Sequence, residues 1–338
     1  MIVEMKTGAT KEEVDDVVEK ARSLDLGVQL NVGTDKTVVA LLGGHTGQIS
    51  TDIFAVLPGV ESVTRIMKPY KLASREFKPA DTLVSCGGVE IGGKRVVVMA
   101  GPCAVENEKQ LMEAAGAVKK AGASILRGGA FKPRTSPFSF QGLQKAGLEL
   151  LVKAREQLEM PFVTEVVDPQ NVELVSEYAD MLQIGSRNMQ NFALLTNAGK
   201  SRHPVVLKRG FSCTITEWLT AADYLLAGGN EQVILCERGI RTFEDSIRFS
   251  LDISAIPVLK KSSHLPVIVD PSHAAGHYSL VPAIAKAALA AGADGLLIEV
   301  HPNPKEALVD GLQSLSPSDF TRLMEELRTI AKCIGRYI

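Results

Sequence analysis

Residues 125–137 read ILRGGAFKPRTSP, an apolar run that ends in a cation and continues into a glycine-rich turn. The turn adds a lysine, a second arginine and two hydroxyl groups. Guanidinium forks, an ammonium group and free backbone N–H groups are the donors that a phosphate requires. Pro133 and Pro137 restrict the backbone, so these donors are held in place. The segment therefore predicts a strand that ends in a phosphate-binding loop.

The same pattern of strand, loop and helix recurs along the rest of the chain. From residue 96 onward, eight short apolar runs cover residues 96–100, 124–126, 162–164, 181–184, 205–207, 233–235, 267–269 and 295–298. Helical patterns between them include residues 108–120, 142–158, 172–178, 216–226 and 280–290. Strands that alternate with helices form a parallel sheet, and eight such units predict a (β/α)8 TIM barrel. A doubly wound sheet is the alternative, but it would show fewer repeats and a GxGxxG turn.

Residues 1–69 predict a small α+β domain of their own. Predicted strands cover residues 1–6, 28–32, 37–42 and 60–67, and predicted helices cover residues 11–25 and 48–57. This order is ferredoxin-like, and a TKEE capping box at residues 10–13 marks the start of the first helix. No catalytic group is visible in this domain, so we expect a role in regulation or assembly. Residues 70–94 are predicted to be a linker with a hairpin, followed by the barrel at residues 95–338.

The bulk composition excludes several classes of protein. The 338 residues are 45% hydrophobic and carry a net charge of −2, so no overall charge attracts nucleic acid or an anionic membrane. The amino terminus lacks a signal-peptide pattern, and no apolar run is long enough to span a membrane. The five cysteines are odd in number and have no CxxC spacing, which indicates a reducing cytoplasm rather than a disulfide framework.

Polar residues follow all eight predicted strands, at the rim where such barrels carry their active sites. Six are cations, and their convergence predicts an anionic ligand with more than one phosphate or carboxylate. They are Arg127, Lys132, Arg134, Arg187, Lys208 and Arg238. A second set is Cys103, His273, Glu299 and Asp310. These donors can enclose a divalent cation, and their mixed softness favours Mn²⁺, Fe²⁺, Co²⁺ or Zn²⁺ over Mg²⁺. Taken singly, Cys103 could also be a small buried apolar residue, His273 a hydrogen-bonded loop histidine and Asp310 a turn residue.

The strand-end motifs, in this order, resemble those of the 3-deoxy-D-arabino-heptulosonate 7-phosphate (DAHP) synthase family, which catalyses the first step of the shikimate pathway. The motifs are AGPC at residues 100–103, RGGAFKPRTSP at 127–137, QIGSRN at 183–188, LKRG at 207–210, LCERG at 235–239, VDPSH at 269–273 and EVH at 299–301. Residues 1–69 resemble the extension of the regulated type I-beta branch. In that branch the extension binds an aromatic end product, commonly tyrosine, between subunits of a tetramer. The resemblance therefore implies a homotetramer with tyrosine as the favoured effector.

The resemblance also implies a role for each rim residue. The metal ligands would be Cys103, His273, Glu299 and Asp310, with Mn²⁺ preferred and Fe²⁺, Co²⁺ or Zn²⁺ as alternatives. Phosphoenolpyruvate would be held by Arg127, Lys132, Arg187, Lys208 and Arg238. The phosphate of erythrose 4-phosphate would be held by Arg134, Thr135 and Ser136. The catalytic groups would be Lys132, Glu165 and His301. Alternatively, His301 would contact the metal ligands from outside rather than act on the substrate.

The implied reaction joins phosphoenolpyruvate to erythrose 4-phosphate and releases phosphate. We expect Glu165 to orient or deprotonate the water that adds to phosphoenolpyruvate, and Lys132 to donate a proton. One alternative is 3-deoxy-D-manno-octulosonate 8-phosphate synthase, a related barrel that uses arabinose 5-phosphate. That family typically has Ala-Asn-Arg-Ser-Ser where this chain has KPRTS at residues 132–136, which favours erythrose 4-phosphate. A second alternative is a non-catalytic amino-acid sensor, against which the intact rim argues.

Overall fold

The computed structural model describes residues 1–33, 36–65, 68–134 and 136–338. Its contacts divide the chain into two compact units, which we describe separately. The first comprises Met1–Ala80 with Ser262–His264, and the second comprises Asp81–Lys261 with Leu265–Ile338. The predicted domain bounds at residues 69 and 95 lie on either side of this division and remain predictions.

The amino-terminal unit is a four-stranded antiparallel sheet with two helices. Its strands are β1 (Ile2–Met5), β2 (Gly27–Val32), β3 (Thr37–Leu42) and β4 (Val60–Thr64), and its helices are α1 (Lys11–Arg22) and α2 (Asp52–Ala55). The strands lie in the order β2-β3-β1-β4, with all neighbours antiparallel. The predicted ferredoxin-like order of elements is therefore confirmed.

The two helices of this unit differ in how well their bounds were predicted. The capping box of α1 is present, because Glu13 N–H donates to Thr10 Oγ1 while Glu13 Oε2 accepts from Thr10 N–H. The second helix was predicted over residues 48–57 but covers only Asp52–Ala55. Pro58 restricts the backbone of the residue before it, and Ser50 Oγ accepts from the N–H of Asp52 in a local turn. Residues 66 and 67 of the predicted last strand lie outside the described residues.

The second unit is a closed barrel of eight parallel strands, as predicted. The strands are β7 (Val97–Gly101), β8 (Ile125–Arg127), β9 (Phe162–Glu165), β10 (Met181–Ile184), β11 (Val205–Lys208), β12 (Val233–Glu237), β13 (Val267–Val269) and β14 (Gly295–Glu299). They neighbour one another in chain order, and β14 closes the barrel on β7. Parallel pairing throughout brings all eight carboxyl ends to one rim.

Helices follow most of these strands. They are α3 (Glu108–Ala121), α4 (Lys145–Leu158), α5 (Val172–Tyr178), α6 (Phe192–Lys200), α7 (Ile215–Ala227), α8 (Ala255–Ser262), α9 (Pro271–Ala275), α10 (Val281–Ala290) and α11 (Pro317–Cys333). The helix predicted over residues 142–158 begins three residues later. Gly142 and Gln144 both have positive φ angles, which a right-handed helix excludes.

A short hairpin, β5 (Val84–Cys86) and β6 (Val89–Ile91), precedes the barrel. Its Val84, Cys86 and Ile91 belong to the same buried apolar cluster as side chains of all eight barrel strands. Parallel strands buried on both faces are near-continuously apolar, which is why the predicted strands were visible as unbroken apolar runs. Because side chains fill the interior of the barrel, we expect a ligand at the rim where the strands end.

Candidate active site

A cavity opens at the rim formed by the carboxyl ends of the barrel strands. Its empty volume is about 700 Å³, including the open mouth. Its lining includes nine of the residues predicted from sequence, namely Arg127, Lys132, Arg134, Glu165, Arg187, Lys208, Arg238, His273 and Asp310. Arg248, which the sequence analysis did not single out, also lines it. We call this space the central cavity. All six predicted cations meet there, so it is strongly cationic although the chain is close to neutral.

The four predicted metal ligands form a compact group beside the central cavity. One donor atom from each of Cys103, His273, Glu299 and Asp310 lies within 4.8 Å of all the others. His273 Nε2 is 3.5 Å from Glu299 Oε1 and 3.6 Å from Asp310 Oδ2, and Cys103 Sγ is 3.4 Å from Asp310 Oδ2. One sulfur, one nitrogen and two carboxylate oxygens at this spacing fit a divalent transition-metal ion. We call these residues the Cys-His-Glu-Asp group.

The elements of the barrel explain why these four side chains meet. Glu299 ends β14, and Cys103 follows β7, the strand with which β14 pairs. His273 lies in α9, whose first turn is capped by the Asp270 carboxylate. Asp310 lies in the loop after β14 and has a φ angle of 53°, a left-handed conformation that Asp tolerates better than most residues. The end of β14, the residues that follow β7, the short helix α9 and the loop after β14 therefore supply the donors.

Burial and neighbouring charges shift the pKa values of the Cys-His-Glu-Asp group in different directions. Burial and the nearby Glu299 raise the pKa of the Cys103 thiol to about 12, against the smaller influence of Lys132 and Arg127. Burial also acts to raise the pKa of Glu299, but His273 and Arg127 outweigh it and bring that pKa to about 2. Burial lowers the pKa of His273 despite its acidic neighbours. The group thus holds a neutral thiol, an ionised carboxylate and an imidazole that favours its neutral form.

Two of the cations contact the Cys-His-Glu-Asp group directly. Arg127 NH1 donates to Glu299 Oε1 at 2.7 Å and to the Pro102 carbonyl oxygen at 3.2 Å. Lys132 Nζ donates to the Cys103 carbonyl oxygen at 3.1 Å and lies 3.2 Å from Cys103 Sγ. Burial alone would lower the pKa of Lys132, but Cys103 and Glu165 reverse this and raise it. The anion-binding side chains and the metal-type donors therefore form one continuous site.

A buried aspartate that the sequence analysis left without a role joins the two sets. Asp270 Oδ2 accepts from Lys208 Nζ at 2.5 Å and lies 2.6 Å from His273 Nδ1. Its side chain is completely buried. Burial acts to raise the pKa of Asp270, yet His273 and Lys208 hold it well below its usual range. Its place in the VDPSH motif was visible, but the contact with Lys208 depends on the arrangement of the strands.

Arg238 is the clearest sign that the central cavity binds an anion. Its side chain is 3% exposed, and its NH1 atom has no hydrogen-bond partner among the described residues. The guanidinium carbon lies 4.0 Å from the ring centre of Phe249 and 4.9 Å from that of Phe211. Burial lowers the pKa of Arg238 to about 10. Because buried guanidinium donors are almost always paired, NH1 requires an acceptor from outside the described chain.

Arg187 and Glu165 occupy other parts of the cavity wall. The Arg187 guanidinium lies 5.3 Å from the ring centre of Phe211, the ring that Arg238 also contacts. Glu165 ends β9 and is 7% exposed. Gly185 lies beside it, and a methyl group on Gly185 would collide with Glu165 Oε1. The position of the Glu165 carboxylate therefore depends on a glycine at residue 185.

The remaining predicted residues are not all brought to the central cavity. Arg134 lines it, but Ser136 does not, and Ser136 Oγ instead accepts from the Phe138 N–H at 3.3 Å. Thr135 lies outside the described residues. His301 is buried with Nε2 3.4 Å from Glu106 Oε2, while its Nδ1 accepts from the Asn303 N–H. His301 does not line the central cavity.

Two further properties of the whole chain are relevant to its function. None of the helices in the described part of the chain is long and apolar enough to cross a membrane. All five cysteines are free thiols, with Cys86, Cys103 and Cys236 buried.

Known proteins share both units of this chain. Residues 78–333 match the DAHP synthetase I family, and residues 1–68 match the DAHP synthase ferredoxin-like domain. Phospho-2-dehydro-3-deoxyheptonate aldolase of Thermotoga maritima is 48% identical over 335 residues, which cover 99% of each chain. A crystal structure of phospho-2-dehydro-3-deoxyheptonate aldolase (DAHP synthase) from Thermotoga maritima aligns with this chain with a TM-score of 0.79. The alignment covers 99% of this chain and 98% of that one.

A second group of relatives matches a shorter part of the chain. The 2-dehydro-3-deoxyphosphooctonate aldolase of Geotalea uraniireducens is 31% identical over 266 residues. The match covers 73% of this chain and 97% of that relative. These relatives therefore share a shorter stretch at lower identity than the Thermotoga aldolase does.

Proposed function

This chain is an enzyme of the DAHP synthetase I family, and from that membership we propose that it condenses phosphoenolpyruvate with erythrose 4-phosphate, forming DAHP and releasing phosphate. One observation carries the proposal. Six cations and the Cys-His-Glu-Asp group form one continuous site at the barrel rim, joined by the contact of Arg127 with Glu299. Two anionic substrates require such a density of positive charge, and an aldehyde acceptor requires an electrophilic group beside it.

Phosphoenolpyruvate would occupy the part of the central cavity lined by Arg127, Lys132, Arg187, Lys208 and Arg238. The unpartnered NH1 of Arg238 supports this placement, since a phosphate or carboxylate oxygen would supply its missing acceptor. Arg134 would bind the phosphate of erythrose 4-phosphate from the same wall. The roles of Thr135 and Ser136 in binding that phosphate remain predictions from sequence. The Ser136 hydroxyl, which accepts from the Phe138 N–H, would have to turn toward the cavity when the sugar phosphate arrives.

The Cys-His-Glu-Asp group would hold one divalent metal ion, with Mn²⁺ preferred and Fe²⁺, Co²⁺ or Zn²⁺ as alternatives. When bound, such an ion supplies Lewis acidity toward the aldehyde carbonyl of the sugar phosphate. The chain's own residues prepare the site for it. Asp270 fixes the imidazole orientation of His273 through Nδ1, so that Nε2 faces the other three donors. Lys132 lies beside the Cys103 sulfur, where its charge favours the thiolate over the thiol.

The reaction forms one carbon–carbon bond and breaks one carbon–oxygen bond. C3 of phosphoenolpyruvate attacks the aldehyde carbon while positive character builds at C2, and the aldehyde oxygen takes up a proton. Water adds at C2 and loses a proton, with Glu165 placed to orient or deprotonate it. The resulting hemiketal phosphate loses phosphate by C–O cleavage, which leaves the ketone of the product. Lys132, whose raised pKa keeps it charged, is placed to donate a proton.

The role of His301 is less direct than that of Lys132 or Glu165. Its Nδ1 accepts from the Asn303 N–H, which leaves Nε2 as the nitrogen facing Glu106. His301 Nε2 has no hydrogen-bond partner among the described residues, and neither Glu106 nor Asn303 belongs to the Cys-His-Glu-Asp group or lines the central cavity, so both roles of His301 stay predictions. A role for His301 in proton relay would require a route from Nε2 to the cavity.

The experiment that tests the proposal is phosphate release from phosphoenolpyruvate. The full chain is supplied with erythrose 4-phosphate or arabinose 5-phosphate, before and after chelation and with metal added back. Release that depends on erythrose 4-phosphate and disappears on chelation is expected. Preference for arabinose 5-phosphate would instead favour the octulosonate alternative, which the shorter match to octonate aldolases keeps in view. Binding of an aromatic amino acid without any phosphate release would favour the sensor.

The amino-terminal unit would give this activity feedback control. We expect an aromatic amino acid to bind there, with tyrosine as the favoured effector. We also expect the protein to be a homotetramer in the cytoplasm. The match of residues 1–68 to the ferredoxin-like domain of DAHP synthases supports a regulatory role. Strand β2 is an edge strand with Leu30 and Val32 exposed. Asn31 on that strand donates to the Phe77 carbonyl oxygen. Titrating each aromatic amino acid against the initial rate tests this regulation.

A further inference from the structure

Each carboxylate of the Cys-His-Glu-Asp group has one oxygen turned toward the other donors and one turned away. Glu299 Oε1 and Asp310 Oδ2 face His273 Nε2 at 3.5 Å and 3.6 Å. Glu299 Oε2 instead accepts from Gln313 Nε2 at 2.6 Å, and Asp310 Oδ1 accepts from Arg248 NH1 at 3.2 Å. The two outer oxygens are therefore both occupied by side chains outside the group.

Gln313 connects these two outer contacts into a single chain of hydrogen bonds. It is 2% exposed, and its Oε1 accepts from Arg248 NH1 at 2.7 Å while its Nε2 donates to Glu299. The two partners fix the orientation of the amide, because a guanidinium requires an acceptor and an ionised carboxylate requires a donor. The backbone N–H of Gln313 also donates to the Asp310 carbonyl oxygen at 3.3 Å. The Gln313 side chain thus contacts Glu299 directly and Asp310 through Arg248, while the Gln313 backbone contacts the Asp310 backbone.

We propose that Gln313 is a positioning residue that, together with Arg248, determines which oxygen of Glu299 and of Asp310 is presented to a bound metal ion. The inference rests on the proposed metal site. With both outer oxygens held, each carboxylate offers a single oxygen at a fixed orientation. Without these contacts, Asp310 would lose the restraint on Oδ1, and Glu299 would keep the contact of Arg127 with Oε1 but lose the one that orients Oε2. Outer contacts of this kind typically change metal affinity by about 10- to 100-fold.

The direct test compares Gln313→Met with a matched control, Asn230→Leu. Asn230 is also a 2% exposed amide with two backbone partners, the His203 carbonyl oxygen and the Gln232 N–H, on the segments that precede β11 and β12. Dissociation constants for Mn²⁺ and Zn²⁺ are measured by competition with a chelator, together with the unfolding midpoint of the metal-free proteins. We expect Gln313→Met to weaken binding by about 10- to 100-fold and Asn230→Leu to leave it unchanged.

The outcomes separate this inference from the proposed function. If the unchanged protein binds neither ion, the proposed metal site is wrong. If the unchanged protein and Gln313→Met bind both ions equally well, the metal site stands and the positioning role is wrong. If affinity and the unfolding midpoint fall alike in Gln313→Met and Asn230→Leu, the effect is general destabilisation and the positioning role is also wrong.

A second variant distinguishes positioning from simple electrostatics. Arg248 is a cation near the metal donors, so removing only its charge would tighten the binding of a divalent cation. If Arg248 instead holds Asp310 and Gln313 in place, Arg248→Met weakens metal binding. The double variant Gln313→Met/Arg248→Met should then lose little more affinity than Gln313→Met alone, because both residues act through one chain of contacts. Tighter binding by Arg248→Met, or fully additive losses, would overturn the role given to Arg248.

Discussion

Lys132 Nζ lies 3.2 Å from Cys103 Sγ, so a cation predicted to bind phosphoenolpyruvate touches a thiol predicted to bind a metal ion. The contact crosses from the end of β8 to the end of β7, two strands that are adjacent in the barrel. The contact acts to raise the pKa of Lys132, and the ammonium group acts to lower the pKa of the Cys103 thiol, which burial and Glu299 nevertheless raise to about 12. Substrate binding and metal binding are therefore expected to influence each other through this pair.

Replacing the thiol tests the metal site at its softest donor. In Cys103→Ser we expect at least about a 100-fold loss of activity and of metal affinity, because a serine hydroxyl is a much poorer ligand for these ions than a thiolate. Cys333→Ser, at an exposed cysteine in the last helix, serves as the control. Activity, metal content and the circular dichroism spectrum are measured for both. Full activity of the unchanged protein after rigorous chelation would contradict the metal role.

The Asp270–Lys208 pair predicts a dependence of stability on pH in the metal-free protein. The folded-state pKa of Asp270 lies well below the unfolded value of 3.8, so its ionised form favours the folded state. This contribution is complete above pH 3.8 and is lost as the pH falls through the folded-state pKa. Asp270→Asn should lose roughly 3–5 kcal/mol of unfolding free energy at pH 7, because Lys208 is left buried without its partner.

Urea unfolding between pH 7 and pH 3 checks this prediction. The unfolding free energy of Asp270→Asn should fall less steeply below pH 3.8 than that of the unchanged protein. The double variant Asp270→Asn/Lys208→Met should recover part of the stability at pH 7, since it no longer buries an unpaired charge. Equal acid sensitivity in the unchanged protein and in Asp270→Asn would show that other carboxylates dominate.

Arg238 should bind substrate at a cost to stability. Its NH1 atom is buried without a partner among the described residues, a condition that destabilises the ligand-free fold. Removing the unpartnered donor should stabilise the fold by more than the lost contact with Phe249 destabilises it. We therefore expect Arg238→Met to raise the unfolding free energy by a net amount of about 1 kcal/mol. The dissociation constant for phosphoenolpyruvate should rise by at least about tenfold, measured by calorimetry. A variant that is less stable and binds equally well would contradict both expectations.

Glu165 can be displaced without changing its charge. In Gly185→Ala the new methyl group collides with Glu165 Oε1, which must move away from its place in the cavity wall. A displacement of this size typically costs about 100-fold in rate when the group acts on the reacting atoms. Gly116→Ala is the control, because Gly116 lies in α3 with open space around its position. If kcat is equal in the two variants, Glu165 has no part in the chemistry.

The order of the elements and the residues that end each strand could largely be predicted from the sequence. The barrel strands were apolar runs because strands buried on both faces have no polar side, and the capping box at Thr10 marked α1 by a purely local signal. The predicted start of α4 and the predicted length of α2 were wrong. Positive φ angles at Gly142 and Gln144 delay the start of α4, and the proline after Leu57 restricts the backbone at the end of α2.

The partners of the rim residues were decided only by the closure of the barrel. Cys103 and Glu299 are nearly two hundred residues apart, and they meet because β14 pairs with β7. Gln313 and Arg248 carry no motif, and their roles arise from two loops that follow different strands. The sequence could therefore name the charged and metal-type side chains, because strand ends are local features. It could not assign their contacts, because hydrogen-bond geometry depends on which strand ends the barrel makes neighbours.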